Sequence, residues 1–183
     1  MKPVCQRVIV VEGKYDKIRL DSILDATVIT TEGFGLFRDE EKKTLLRRLA
    51  RERGLVVLCD SDGGGSVIRS HIRTITGGEG VTDLYIPPIR GKEKRKAAPG
   101  KAGLLGVEGM TGELLLSLFE KSGLLGGEPR QRRYTKADLY AMGYTGRPES
   151  KQKREAVLEQ AGLPKTLSSN AFLEIVTLLE IPL

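Results

Sequence analysis

The chain has few of the residues that build metal–thiolate sites, disulfide frameworks or membrane spans. Its 183 residues include two cysteines, one histidine and no tryptophan. Two cysteines and one histidine cannot supply the four ligands of a structural zinc site. The longest apolar run, Leu55–Cys59, is far shorter than the roughly 18 residues of a membrane-spanning helix. The sequence therefore excludes both of these classes and favours a globular protein.

The N-terminal residues and the cysteines suggest a reducing compartment. Residues Met1–Cys5 lead directly into a strand-like run, without the apolar region and small-residue cleavage site of a signal peptide. Cys5 and Cys59 both lie in apolar segments, where they could pair, but buried free thiols are favoured. We therefore expect a cytoplasmic protein with two buried thiols.

Positive charge is concentrated in the second half of the chain. Residues 1–89 carry 14 Lys/Arg and 13 Asp/Glu, a net charge of +1, whereas residues 90–183 carry 16 and 11, a net charge of +5. Most of the excess lies in two basic clusters: the first is Arg90, Lys92, Lys94, Arg95, Lys96 and Lys101, and the second is Arg130, Arg132, Arg133 and Lys136. One such cluster is typical of a solvated loop, but two in a chain of pI near 9.4 favour a polyanionic partner.

Strand-like and helix-like segments alternate through the first half of the sequence. β-Branched and apolar runs predict four strands, at Arg7–Glu12, Ala26–Thr31, Leu55–Asp60 and Val81–Ile86. Helices are predicted between them, at Lys14–Leu24, Asp39–Arg53 and Val67–Ile75. The glycine triplet Gly63–Gly65 is predicted to be a loop. The alternation predicts an α/β fold, with a mostly parallel four-stranded sheet and helices on both faces.

The last third of the chain is predicted to be purely helical. Three short helices are expected to begin near Thr135, Ser150 and Ser168, each at a residue type that favours a helix start. We therefore predict a catalytic α/β domain over residues 1–124, a linker over 125–134 and a helical domain over 135–183. The helical domain is too small for more than a marginal core, so we expect it to need a partner surface and to serve in substrate or partner docking.

Three carboxylates follow predicted strands at the positions where ligands collect in a parallel sheet. Glu12 closes the first strand, and Asp60 and Asp62 close the third. Like charges this close repel one another, so the group is expected to hold a hard cation, with magnesium or manganese favoured by all-oxygen ligation. Each motif alone also has a structural reading, because a strand-end Glu can serve a helix N-terminus and Asp-x-Asp before glycines can form a turn.

The two motifs together resemble the Toprim signature. The run Val-Ile-Val-Val-Glu12-Gly13-Lys14-x-Asp16 is followed some 45 residues later by Leu-Cys-Asp60-Ser-Asp62-Gly. The resemblance implies an α/β Toprim domain in which Glu12, Asp60 and Asp62 bind magnesium. It also implies that Asp16 orients its neighbours and does not bind the metal.

The layout of the whole chain resembles the ribonuclease M5 family, whose members mature 5S ribosomal RNA. The resemblance rests on Ile68-Arg69 after the Asp-x-Asp, a proline-ended fourth strand, a basic loop, the run Gly106–Met110 and a small helical tail. It departs from the family at residues 63–66 and at Gly109-Met110. It implies an endoribonuclease that acts on the double-stranded 5S rRNA precursor, presented with the large-subunit ribosomal protein that binds 5S rRNA.

The reaction expected from these residues is phosphodiester hydrolysis by metal-activated water, with one or two ions. Glu108 is a candidate for the second metal or for the general base, or is simply a helix N-terminal charge. The cations that could contact substrate phosphates, or be ordinary solvated side chains, are Lys14, Arg69, Lys94, Arg95, Lys96, Arg132 and Arg133. Two alternatives stay open, a non-catalytic Toprim module that binds nucleic acid and a Toprim DNA nuclease.

Overall fold

The computed structural model describes residues 1–31, 39–93, 103–128 and 133–183. In these ranges the first half of the chain forms four strands and three helices. In chain order they are β1 Val4–Val11, α1 Lys14–Ile23, β2 Asp25–Thr30, α2 Glu40–Glu52, β3 Leu55–Cys59, α3 Gly63–Thr76 and β4 Val81–Tyr85. The remaining elements are a 3-10 helix at Val107–Gly109, α4 Gly112–Lys121, α5 Lys136–Ala141, α6 Ser150–Gln160 and α7 Ser169–Leu178.

The four strands form one parallel sheet in the order β2-β1-β3-β4. β1 and β3 are central, and their runs of fully buried residues are typical of strands covered on both faces. The predicted α/β class is therefore confirmed. Because every strand points the same way, the residues that follow β1 and β3 emerge at one edge of the sheet, here called the carboxyl edge.

Two hydrophobic cores lie on opposite faces of the sheet. One contains Ile9, Val56 and Leu58 with residues of α1, α4 and the 3-10 helix. The other contains Val8 and Val57 with residues of α2, α3 and all three tail helices. The two cysteines are free and buried, as predicted, with Cys5 in the first core and Cys59 in the second.

The tail helices begin close to where the sequence predicts them. Thr135 and Ser168 cap α5 and α7 through their side chains, and Ser150 is the first residue of α6. The partner surface expected for this small helical piece is the chain's own sheet, since Phe172 of α7 is fully buried in the core that Val8 and Val57 share. The predicted boundaries at residues 124 and 135 stay a prediction.

Within the described residues, the predicted form of the glycine triplet is wrong. Gly63–Gly65 are the first turn of α3, whereas the sequence predicts a loop and a helix start at Val67. The side chain of Asp62 caps this turn by accepting the N–H of Gly65 at 2.9 Å. A Cβ atom on Gly65 would lie 2.0 Å from the backbone oxygen of Asp60. Glycine is required because the helix starts in direct contact with the end of β3.

No helix in the described ranges combines the length and apolar character needed to cross a bilayer.

Candidate active site

The carboxyl edge carries Glu12 after β1 and Asp60 after β3. Their strands are neighbours in register, with Val8, Ile9 and Val10 of β1 opposite Leu55, Val56 and Val57 of β3. The end of β2 is tied to the same place, because Thr31 donates its N–H to the backbone oxygen of Val11 at 2.9 Å and its hydroxyl to that of Glu12 at 3.2 Å. The sheet therefore places the two acidic residues side by side.

The 3-10 helix at Val107–Gly109 is held against Asp60 by its backbone. The N–H of Val107 donates to Oδ1 of Asp60 at 2.9 Å. A Cβ atom on Gly106 would lie 2.5 Å from Oδ2 of the same carboxylate, so only glycine permits this approach. The N–H of Gly106 is bound at 2.9 Å by Oε1 of Glu93, whose side chain is buried.

Asp16 joins the start of α1 to the same 3-10 helix. It is 9% exposed, and its two oxygens accept the N–H of Gly13 at 3.0 Å and of Glu108 at 3.1 Å. Burial, and after it the negative charges of Asp60 and Glu108, raise the pKa of Asp16 to about 6, although the two N–H donors act in the opposite direction. This geometry agrees with the orienting role that the Toprim resemblance implies for Asp16.

Glu12, Asp16, Asp60 and Glu108 form what we call the carboxylate cluster. Three of them also act on the buried thiol of Cys59, the residue before Asp60. Burial raises the pKa of Cys59 to about 12, and the charges of Glu12, Asp16 and Asp60 act in the same direction, against the guanidinium of Arg69. The cluster is therefore a concentration of negative charge at the carboxyl edge.

In the described part of the chain, no three carboxylate, histidine or cysteine side chains come close enough together to hold one metal ion as they stand. Asp62 contributes to this, because its side chain points to the start of α3 and its Oδ1 accepts the N–H of Gly65. The loop between the two aspartates is fixed by Ser61, whose hydroxyl donates to the backbone oxygen of Ile86 at 2.6 Å. The structure thus places Glu12, Asp60 and Glu108 at the carboxyl edge without closing them into a metal site, and it uses Asp62 as a helix cap.

The sequence predicted that Arg69 could contact a substrate phosphate, but in the structure its side chain lies in the interior. It is 6% exposed, and its guanidinium donates to the backbone oxygens of Val57 at 3.0 Å and Cys59 at 2.9 Å. It also packs over the ring of Tyr85, 4.1 Å from the ring centroid. These contacts make Arg69 a support for the end of β3, which Asp60 follows.

The other predicted phosphate contacts are divided between the surface and undescribed segments. Lys14, the first residue of α1, is exposed beside Glu12. Arg133 is exposed, and its guanidinium donates to the backbone oxygen of Glu180 at 3.0 Å. Lys94, Arg95, Lys96 and Arg132 lie outside the described residues.

Glu93 is the site residue that sequence reasoning missed. It stands in the basic run Gly91-Lys-Glu-Lys-Arg, where a lone acid is indistinguishable from a solvated surface charge. Only the bond to the Gly106 N–H shows that it supports the segment beside Asp60.

Comparison with known proteins gives a consistent set of relatives. Ribonuclease M5 of Lactiplantibacillus plantarum is 30% identical over 159 residues, which cover 86% of this chain and 80% of the relative. Ribonuclease M5 of Clostridium botulinum is 30% identical over 152 residues, covering 82% and 76%. A local match of 67 residues to Ribonuclease M5 of Borreliella burgdorferi is 42% identical and covers 37% of this chain and 36% of the relative.

The chain was also compared with protein-family models and with solved structures. No protein-family model matches the chain. A solved small TOPRIM domain protein from Bacillus stearothermophilus has a TM-score of 0.39 and 22% identity, over 64% of this chain and 90% of that one.

Proposed function

Because the chain belongs to the ribonuclease M5 family of endoribonucleases, we propose that it cuts the double-stranded precursor of 5S ribosomal RNA by magnesium-dependent hydrolysis of phosphodiester bonds. The observation that carries the proposal is the carboxylate cluster at the carboxyl edge, with Asp60 fixed by the Val107 N–H and Glu108 held by Asp16. Such a cluster sits where open parallel sheets carry their reactive groups.

The residues present fit a divalent cation in their chemistry. All the candidate donors are carboxylate oxygens, the ligands that magnesium and manganese prefer. Burial is the main cause of the raised pKa of Asp16, and the negative charges of Asp60 and Glu108 add to it; a cation would relieve this second contribution. Glu12, Asp60 and Asp62 are the proposed metal ligands, and Asp62 has one oxygen already engaged as a helix cap. When bound, such an ion supplies an activated water and neutralises charge on the phosphate.

The chain's own groups have distinct tasks in this proposal. Asp16 and the backbone of the 3-10 helix hold Glu108 at the edge of the cluster, where it can ligate a second ion or accept a proton. Lys14, exposed beside Glu12, is placed to contact a phosphate. Glu93 accepts the N–H of Gly106 and so fixes this peptide. It thereby also holds the 3-10 helix against Asp60.

Substrate recognition is assigned to the basic residues outside this cluster. A-form RNA is read mostly through its shape and backbone, which basic loops with few aromatics can contact without reading bases. The proposed contacts are Lys94, Arg95, Lys96, Arg132 and Arg133. The ribosomal protein that binds 5S rRNA is the proposed partner, and the tail over residues 135–183 is the proposed docking element. We place the protein in the cytoplasm.

A cleavage assay tests the proposal. Labelled 5S rRNA precursor is incubated with the protein in magnesium or in chelator, with and without the ribosomal protein, beside a DNA duplex of the same sequence. We expect cuts in the RNA alone, only with the metal. Glu12→Gln and Asp60→Asn are each expected to abolish cleavage and to keep the fold and RNA affinity.

Asp25→Asn is the matched control, because Asp25 is the first residue of β2 and so lies at the amino ends of the strands, away from the carboxyl edge. It is expected to cleave like the wild type. Near wild-type turnover by Asp60→Asn would overturn the metal assignment. Cleavage of the DNA duplex, or binding without any cleavage, would replace the proposal with one of the two alternatives.

A further inference from the structure

Tyr85, the last residue of β4, is an aromatic side chain left in solvent at the carboxyl edge. It is 61% exposed, whereas its neighbours Leu84 and Ile86 are buried. The chain has no tryptophan and only 5% aromatic residues. A large exposed ring beside the candidate active site is therefore a feature that core packing does not explain.

The ring of Tyr85 is held in place from one side. The guanidinium of Arg69 packs over it with its central carbon 4.1 Å from the ring centroid. That guanidinium is itself buried and fixed by the backbone oxygens of Val57 and Cys59. A cation–π contact of this kind is stronger where the cation is desolvated. One face of the ring is thus supported by a rigid group while most of the side chain stays open to solvent.

The position of Tyr85 relative to the carboxylate cluster follows from the strand pairing. Tyr85 is opposite Cys59 in the parallel register of β3 and β4, and Asp60 is the next residue. From the strand spacing and the Cα–Cα distance, the Cα atoms of Tyr85 and Asp60 are within about 9 Å of each other. The bond from Ser61 to the backbone of Ile86 locks the two chain segments together.

The ring and the reactive carboxylate lie on different sides of this edge. Tyr85 packs against Arg69 of α3, whereas Asp60 binds the N–H of Val107 in the 3-10 helix, across the sheet. Both are nevertheless at the carboxyl edge, and Tyr85 is open to solvent there, so a substrate held at the carboxylate cluster would meet Tyr85 with a nucleotide that flanks the scissile phosphate and not with the scissile phosphate itself.

We propose that Tyr85 is a stacking platform for a base that leaves the RNA duplex next to the cleavage site, a role that rests on the proposed function. Single-stranded and splayed-out bases stack on aromatic rings, often with arginine planes in the same stack. Arg69 is then a positioning residue, which orders the ring before the RNA arrives. Tyr85 contributes to substrate binding and placement, and it takes no part in proton transfer.

The test uses substrate hairpins in which one nucleotide flanking the cut is the fluorescent base 2-aminopurine, left without a pairing partner so that it is not already stacked in the duplex; its emission falls when it stacks. Fluorescence is measured with proteins that also carry Asp60→Asn, so that binding is measured without cleavage. We expect quenching at one flanking position with Tyr85 or Tyr85→Phe, and its loss with Tyr85→Ala. In the cleaving enzyme, Tyr85→Ala is expected to raise KM about tenfold with kcat within about twofold of wild type, and Tyr85→Phe to restore KM.

Tyr140→Ala is the control for the fluorescence arm, because Tyr140 is 63% exposed but lies in α5. It is expected to keep the quenching. If Tyr85→Ala quenches as well as the wild type at every flanking position, the stacking role is wrong. If Tyr85→Phe fails to restore KM, the hydroxyl and not the ring is responsible, and the proposal also fails. If the wild-type protein cuts no RNA, the proposed function fails, while the fluorescence arm still decides whether Tyr85 stacks on a bound base.

Discussion

Asp16 shows how a single side chain links the folding of the candidate site to its charge. It is almost fully buried, and both of its oxygens accept backbone N–H groups, from Gly13 and Glu108. A carboxylate that is buried near Asp60 and Glu108 is costly to ionise, which is why its pKa is raised to about 6. Asp16 therefore holds the start of α1 and the 3-10 helix in place, and its ionised form is destabilised by burial and by the neighbouring negative charges.

This cost predicts a pH dependence of stability in magnesium-free protein. The folded state binds the Asp16 proton more tightly than the unfolded chain, so the contribution of this group is favourable below pH 4 and is lost as the pH rises to about 6. We expect the free energy of unfolding to fall over this range by up to roughly 3 kcal/mol from this group. Urea unfolding in a chelator, from pH 4 to 7, measures the slope.

The variant Asp16→Asn removes the titrating group and should flatten this slope, whereas Asp25→Asn should keep it. An Asp16→Asn protein with the wild-type slope would contradict the assignment. Added magnesium should reduce the wild-type slope as well, because a cation near the cluster favours ionised carboxylates.

At the residue level, the sequence predicted which strands carry the candidate acids better than what supports those acids. Glu12 and Asp60 follow two neighbouring strands, and the carboxyl ends of parallel strands share an edge; their role as metal ligands stays a prediction. The position of Arg69 could not be predicted, since helical periodicity does not say that its guanidinium turns inward to backbone oxygens of β3. Glu93 was hidden for a related reason, because its role depends on a contact with Gly106, 13 residues away.

The start of α3 is the element in which local sequence preference and tertiary contact disagree most. Three consecutive glycines are poor helix formers, yet they form its first turn. Asp62 caps the turn, and the lack of a Cβ at Gly65 lets the helix contact the end of β3. A single sequence shows that glycine has a low helix propensity, but it does not show that the backbone of Asp60 lies against Gly65. The start of the helix was therefore predicted four residues too late.

This explanation predicts opposite effects for two similar substitutions. Gly65→Ala should destabilise the protein by about 2–4 kcal/mol and lower activity, because its Cβ would overlap the backbone oxygen of Asp60. Gly63→Ala should be neutral or stabilising by up to about 1 kcal/mol, because nothing lies within 4 Å of its Cβ and alanine favours the helix. Thermal and urea unfolding of the two variants provide the measurement, and equal effects would show that the close approach is not what selects glycine.

On the scale of the whole molecule, the helical tail completes the α/β part. Phe172 of α7 is fully buried and packs 5.6 Å, by ring centroids, from Tyr144, in the core that contains Val8 and Val57. The sequence predicted the tail's helices from their start signals, and it predicted that they need a partner surface. It could not predict which surface, because hydrophobic patterning identifies a buried face but not the element that covers it.

Phe172→Ala should therefore destabilise sheet and tail together, by about 3–5 kcal/mol. A single unfolding transition, seen alike by far-ultraviolet circular dichroism and by tyrosine fluorescence, is the expected result. Asn170→Ala, at an exposed position of the same helix, serves as the control and should change little. Two separate transitions, with only the tail lost early, would show that the tail is an independent unit.

The charge distribution of the whole chain gives a prediction about RNA affinity. If the two basic clusters contact the RNA backbone, the logarithm of the binding constant should fall with the logarithm of salt concentration by about 0.7 to 0.9 per phosphate neutralised. Replacing Lys94, Arg95 and Lys96 together with alanine should flatten this slope by about two or three and weaken binding similarly for all sequences. Titrations at several salt concentrations test this, and an unchanged slope would mean that the first cluster is an ordinary solvated loop.

The bonds from Val107 to Asp60 and from Glu108 to Asp16 have a consequence for the order of events in a catalytic cycle. The acids of the candidate site are already restrained by amide dipoles of the protein, so their scaffold does not depend on an ion for its assembly. If the proposed magnesium mechanism holds, the RNA and the ion can therefore bind in either order, and protein that loses its ion between two rounds keeps the same arrangement of these acids. Changes in free magnesium would then act on the rate of turnover without requiring the site to be rebuilt.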